Sequence, residues 1–186
     1  MRHLNEEYIH RQRSSSISRI KKDIPYIHFS CSGNQTLYII NELNMPKSIF
    51  KNIFEYSTDL VNWNPIDLSG NMYYNEITTY ISFDNDLWIR GKSRYGICYT
   101  NKKTKYSNLG FCFQKETFVY IEGDIRTLID WENYQTCDTS KAEFSYMFCG
   151  SKYIRDASRL LLGIENPKIG CYISMFQECE DLKYPP

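Results

Sequence analysis

Two stretches of the chain say nearly the same thing. The segment "YMFCGSKYIRDAS" starts at Tyr146 and "SMFQECEDLKYPP" starts at Ser174; each has Met-Phe, then an aliphatic residue six positions after the Phe. Phe144, Met147, Phe148, Ile154 and Ala157 recur as Tyr172, Met175, Phe176, Leu182 and Pro185, always at the one offset that separates Met147 from Met175. Self-similarity of this length marks a supersecondary unit that cannot bury its own apolar face and therefore stacks on a copy of itself. The Met and Phe then point into the stack and the aliphatic residue lies on a short strand. Two units are fewer than the roughly three that a free-standing solenoid needs. The expectation is that they lean on the rest of the chain or on another chain.

The body before the repeats reads as β-structure. "YIHFSC" and "TLYII" are apolar or alternating runs separated by "SGNQ", a turn signal. After the loop "NELNMPKS" come "IFEYS" and "NPIDL", joined by "TDLVNW", then a turn at Ser69–Asn71. "ITTYISF", "LWIRG", "GICYT", "LGFCFQ" and "TFVYIE" continue the series, punctuated by "DND" at Asp84–Asp86 and "NKKTK" at Asn101–Lys105. Short strands at this spacing predict an antiparallel β-sandwich or small barrel. The 16 Tyr, 10 Phe and 3 Trp suit such a fold, and Tyr also suits a contact surface. After Gly123 the period changes. Ile125, Leu128 and Ile129 in "DIRTLIDWENY" share a helical face and Asp124 is a plausible N-cap, so a short helix is expected there, packed on the sheet.

The N-terminal stretch, 1–24, differs from the rest. Arg2, Arg11, Arg13, Arg19, Lys21 and Lys22 stand against Glu6, Glu7 and Asp23, a net +3, around a flexible "RSSSIS". We read this as an extended docking arm, with Arg11, Arg13, Arg19, Lys21 and Lys22 as its contact residues. The predicted organisation is an arm (1–24), a β-domain (25–122), and a short helix with two repeats (123–186).

The repeats resemble the "MFxGCxxLxxAP" repeats of BspA-like leucine-rich surface proteins. The first copy keeps Met147, Phe148, Gly150 and Ile154, with Ser151 where Cys is usual; the second keeps Met175, Phe176, Cys179 and Leu182, with Glu178 where Gly is usual. "FVYIEGDIRTLID" is similar to the segment that precedes those repeats, and "FEYSTDLVNWNPIDL" and "DNDLWIRGKS" are similar to stretches further upstream. In order along one chain, these cover residues 52 to 186. Ser57, Asp59 and Trp63 also resemble a sialidase Asp box, a structural hairpin turn without catalytic role, with Val61 where Gly is usual. The resemblance implies a non-enzymatic binding or structural protein of bacterial surfaces or phage particles.

The inventory of reactive side chains agrees with that. His3, His10 and His28 are the three histidines, so residues 29–186 offer none to a Ser-His-Asp, Cys-His or His-rich metal site. Glu55, Asp59, Asp67, Glu76, Asp84, Asp86, Glu122 and Asp124 could pair for glycoside hydrolysis, but no spacing selects a pair. Asp84–Asp86 is a candidate Ca²⁺ loop that a tight turn explains more simply. Seven cysteines, Cys31, Cys98, Cys112, Cys137, Cys149, Cys171 and Cys179, lack C-x-x-C spacing and read as free thiols; Cys149 and Cys179 are the first candidates for a bridge. No cofactor or metal is expected. Zero net charge argues against nucleic acid as a partner. Membrane insertion is not expected, because no apolar run approaches the length of a spanning helix. No apolar h-region suggests a secretory signal.

The function expected is therefore that of a virion surface or appendage component, assembled in the host cytoplasm and docked by its arm. Its expected partners are other virion or assembly proteins and copies of itself. The alternative is a bacterial surface adhesion module for glycan or host protein, with Trp63, Tyr73, Tyr74 and Trp88 as candidate ligand-surface aromatics.

Overall fold

The computed structural model describes residues 24–41, 52–68, 76–99 and 107–186. The arm, Tyr73, Tyr74 and the expected turns at 69–71 and 101–105 lie outside the described residues. Two long strands dominate, β1 (Ile27–Asn41) and β4 (Glu76–Gly91), paired antiparallel from Ile27↔Ile89 to Asn41↔Glu76. The two strands expected before and after "SGNQ" are thus one strand. The register shifts between Ser30 and Asn34, so the turn residues form a bulge and the chain does not reverse. "DND" lies opposite it, inside β4, with Asn34 paired to Asp84. Gly33 (φ 131°) and Asn85 (φ 67°) take the left-handed conformations that this irregularity requires.

β1 is the hub of the sheet. Its second half pairs with β6 (Ser107–Phe113) at Leu37↔Phe113 to Asn41↔Leu109, and its first half pairs with β7 (Val119–Asp124) at His28↔Glu122 to Cys31↔Val119. Beyond β4 lies the hairpin of β2 (Phe54–Ser57) and β3 (Asn64–Pro65); beyond β6 lies β5 (Cys98–Tyr99). β7 then pairs with β8 (Ile154–Leu161), and this pair is parallel. The sheet is therefore mixed and open where an antiparallel sandwich or barrel was expected. The parallel pair follows from the connection between β7 and β8, which brings the chain back to the same end before β8 begins.

The Asp-box-like hairpin is closed by Asp59. Its carboxylate accepts from the N–H groups of Val61 and Asn62 at 2.8 Å each and from the Asn62 side chain at 2.7 Å, while Leu60 takes φ 66°. The short helix after Gly123 is one 3-10 turn, Ile125–Leu128, capped by Asp124, which accepts from Arg126 N. Ile125, Leu128 and Ile129 are buried as the periodicity implies. The chain does not continue as a helix because Asp130 accepts from the Glu132 and Asn133 N–H groups, and Trp131 N donates to Gly91 O.

The two similar segments lie side by side. Phe144, Tyr146, Phe148 and Gly150 donate their N–H groups to Cys171, Ile173, Met175 and Gln177, at 2.7 to 2.9 Å. The rings stack in the same register: Phe144 on Tyr172 at 6.3 Å and Phe148 on Phe176 at 5.2 Å, each ring on its own counterpart. Backbone conformation repeats too. Tyr146 and Ser174 have φ of 59° and 51°, and Gly150 and Glu178 have 72° and 59°. Alongside β8 the same offset recurs in the bridge Asp156↔Tyr184.

The core fills the space between the sheet and the first of these layers. Phe148 meets Phe29 and Phe111 edge-on at 6.2 and 6.3 Å, and Phe29 meets Phe113 at 5.1 Å. Phe111 N donates to Met147 O. Truncating one such fully buried Phe costs about 3–5 kcal/mol. Met147, Phe144, Ile154 and Ala157 are equally buried, whereas Tyr172, Phe176 and Leu182 are half-buried and Pro185 is exposed. The first layer is thus covered on both sides and the second on one.

Candidate functional site

The inward residues of β1, β4, β7 and β8 form the core, so alternation puts the next residues on the opposite face. One row on that outer face crosses five strands. Ser57 pairs with Trp88, Trp88 with His28, His28 with Glu122 and Glu122 with Arg159. His28 is its centre. Nε2 lies 2.7 Å from Asp86 Oδ1 and Nδ1 lies 2.9 Å from Glu122 Oε1. Its ring lies 4.5 Å from that of Trp88 with planes 5° apart. Glu122 also holds Arg159 at 2.9 Å. Two carboxylates can both accept from the ring only if both nitrogens carry protons. Burial works against that charged form; the hydrogen bonds from Asp86 and Glu122 outweigh it and raise the His28 pKa. Glu122 is correspondingly lowered: its own burial opposes this, and the hydrogen bond and charge of His28 prevail.

A second cluster flanks it on the same face. The Arg90 guanidinium lies between the rings of Trp63 and Trp131, 3.8 Å from each centroid, and 5.6 Å from Tyr26. Glu55, its cross-strand partner, accepts from Arg90 Nε at 2.9 Å and Nη2 at 2.8 Å. Trp63 meets Tyr26 edge-on at 5.1 Å. The pair of stacked faces and the carboxylate fix the hairpin, β4 and the segment after the 3-10 turn to one another.

These placements bear on the expected ligand aromatics. Trp88 is 3% exposed and stacked on His28, so it is a packing residue and offers no open ring face. Trp63 is half-buried and gives one face to Arg90. The open aromatic pair among the described residues is Tyr38 with Tyr80, 6.3 Å apart on β1 and β4, with Tyr80 67% exposed. Arg90, Trp131 and Arg159 were not singled out from the sequence. Their partners lie far off in the chain, Glu55 35 residues before Arg90, and no spacing rule links them.

Of the surveyed carboxylates, the structure brings Asp86 and Glu122 together, across His28. Glu55 serves Arg90, Asp59 closes its turn, Asp84 accepts from Asn34 at 3.0 Å, and Asp124 holds Arg126 at 2.6 Å. Glu76 begins β4, and Asp67 is exposed just beyond β3. Asp84–Asp86 lies in a strand, and its carboxylates point to Asn34 and His28, which replaces the Ca²⁺ loop with cross-strand pairing. Among the described residues no group of three His, Cys, Asp or Glu is arranged to hold a metal ion. All seven cysteines are free thiols, Cys149 and Cys179 included. Burial raises Cys31 to about 11 and Cys179 to about 12. Among the described residues no helix is long and apolar enough to cross a membrane.

A third surface is the outer side of the second layer. Tyr172, Ser174, Phe176 and Glu178 are the repeat equivalents of the four N–H donors in the first layer, and no described residue accepts from their N–H groups. Ile169 and Ile173 are exposed beside them, Ile173 by 51%. No family model matches the chain, and neither a curated protein nor a solved structure is similar to it.

Proposed function

We propose that the chain is a non-enzymatic structural and binding module of the BspA-like leucine-rich type, a phage virion surface or appendage component that assembles through its basic arm. The observation that carries this reading is the in-register stacking of the two repeat units: the Phe148–Phe176 ring pair and the shared left-handed positions at Gly150 and Glu178. Such a stack is the basis of repeat proteins that present surfaces to partners. His28 supports a non-catalytic role, because both its nitrogens are engaged by carboxylates and neither is free to take a proton from a substrate. Arg11, Arg13, Arg19, Lys21 and Lys22 supply the chemistry for docking on acidic surfaces of an assembly partner.

The test follows the chain through density-gradient fractionation of a lysed culture of its source, with an antibody against it. It should travel with nucleic-acid-filled particles. Recovery in the cell envelope instead would sink the virion setting and favour a surface adhesion module for glycan or host protein. The Tyr38–Tyr80 pair supports that second reading, since open rings on a β-face can stack on sugars. A glycan array with Tyr80→Ala as control separates the two.

A further inference from the structure

Along the Met-Phe segments the layers are joined by hydrogen bonds of one direction. Ile97 and Phe111 donate to Glu143 O and Met147 O of the first layer, and that layer's N–H groups donate to carbonyls of the second. Asp181 and Lys183 donate back to Lys152 O and Arg155 O, and Glu143 to Tyr95 O, but along the row from Phe144 to Gly150 each bond runs outwards, and the same row one layer on shows donors: the N–H groups of Tyr172, Ser174, Phe176 and Glu178. The half-buried rings of Tyr172 and Phe176 lie among them, with the exposed Ile169 and Ile173 at their edge. A two-fold contact between two such ends would set donors against donors and is excluded as a stable joint. The occupant must bring backbone carbonyls.

Charge narrows it further. Residues 164–186 carry Glu165, Glu178, Glu180 and Asp181 against Lys168 and Lys183; Lys168 is bonded to the buried Glu143 and Glu180 to Lys152, which leaves Glu165, Glu178 and Asp181 against Lys183. The rim is acidic, which repels a free anion and attracts a basic peptide. Residues 1–23 of this same chain fit, with six Arg or Lys against three Glu or Asp, a net +3. Their extended length of roughly 75 Å is enough to reach a neighbouring molecule.

We propose that the outer side of the second layer is the docking site for residues 1–23 of a second copy, whose backbone carbonyls accept from the four-donor row while its arginines and lysines face the acidic rim. The joint is head-to-tail, with different surfaces on the two copies. This rests on reading the chain as an assembling module and is independent of the virion setting; loss of particle association would leave it intact.

Sedimentation equilibrium of the full chain tests it. Mass should rise with protein concentration and fall with added salt. Ile173→Arg, at an exposed position that can be changed without disturbing the core, should weaken self-association about tenfold or more, as should Glu178→Lys. The triple change Arg11→Glu, Arg13→Glu and Arg19→Glu should do the same from the other half of the joint. Mixing the Ile173→Arg and triple variants should restore one joint and yield a dimer, since each retains the half that the other lacks. A monomer at all concentrations, self-association indifferent to Ile173→Arg and Glu178→Lys, or a mixture that stays monomeric would each overturn the proposal.

Discussion

Glu178 stands where Gly150 stands one layer earlier, and both hold a left-handed backbone, at φ 59° and 72°. That conformation costs an L-residue about 1–2 kcal/mol and glycine almost nothing. Glu178→Gly should therefore stabilise the fold by about 1 kcal/mol, read as a higher urea midpoint. Gly150→Ala should destabilise it by about 1 kcal/mol through the backbone alone, because a Cβ there meets nothing within 4 Å. Gly123→Ala should be far worse, about 3 kcal/mol or more, since its Cβ would sit 2.1 Å from Tyr26 O. Equal midpoints for the two alanine variants would contradict the distinction.

The His28 cluster should make stability depend on pH on the alkaline side. A raised pKa in the folded state stabilises fully below the ordinary His value of 6.5, and this is lost as pH rises through the raised folded value. Glu122 is lowered, so its contribution is present above 4.5 and lost as pH falls through its folded value. The cluster contributes most between those two values. His28→Gln should cost about 2 kcal/mol in that window and flatten the loss of urea resistance above pH 6.5. Nitrogen-15 spectra should show both ring nitrogens protonated at pH 6.5. A neutral ring there would refute the assignment.

Arg90→Lys should not be conservative. Lysine cannot fill the space between Trp63 and Trp131 or give Glu55 two parallel donors, so the expected cost is about 1–2 kcal/mol. Tryptophan emission should shift to the red as Trp63 and Trp131 lose their shared partner. Unchanged emission together with unchanged melting would show that the stack contributes nothing.

Thiol labelling should proceed in two stages. Cys31, Cys98, Cys112 and Cys171 are buried, and burial raises all four thiols, Cys31 to about 11. At neutral pH they should react with a disulfide reagent only as fast as the molecule opens. Cys137 and Cys149, half-exposed, should react first. Immediate labelling of all seven would overturn the packing described for the core.

Several features were legible because they depend on local pattern. Met147, Phe148 and their copies fixed the register of the two layers, and the Asp59 turn followed from Ser57, Asp59 and Trp63. "SGNQ" and "DND" were misread for a physical reason. Gly33 and Asn85 permit left-handed backbone in a bulge as readily as in a chain reversal, and only the partner strand decides which forms. The spacing of Ile125, Leu128 and Ile129 does not separate a longer helix from a single 3-10 turn, because all three are buried in either case; the competing Asp130 turn and the pull of Gly91 on Trp131 lie outside the periodic signal. The His28 and Arg90 clusters were hidden altogether, since their members come from strands that meet only in the folded sheet.

The central place of β1 governs how the molecule is completed as it leaves the ribosome. His28 waits for Glu122, 94 residues later in synthesis, before the first half of β1 gains its second neighbour. Until then the first half of β1 has β4 as its single strand neighbour, and a nascent chain of this length exposes an apolar strand with an unfilled edge. The later units behave differently, because the second settles on a surface made just one repeat before it. A ribosome pausing ahead of β7 therefore leaves the chain in its most aggregation-prone form, whereas one pausing beyond β8 leaves a finished sheet awaiting its next layer.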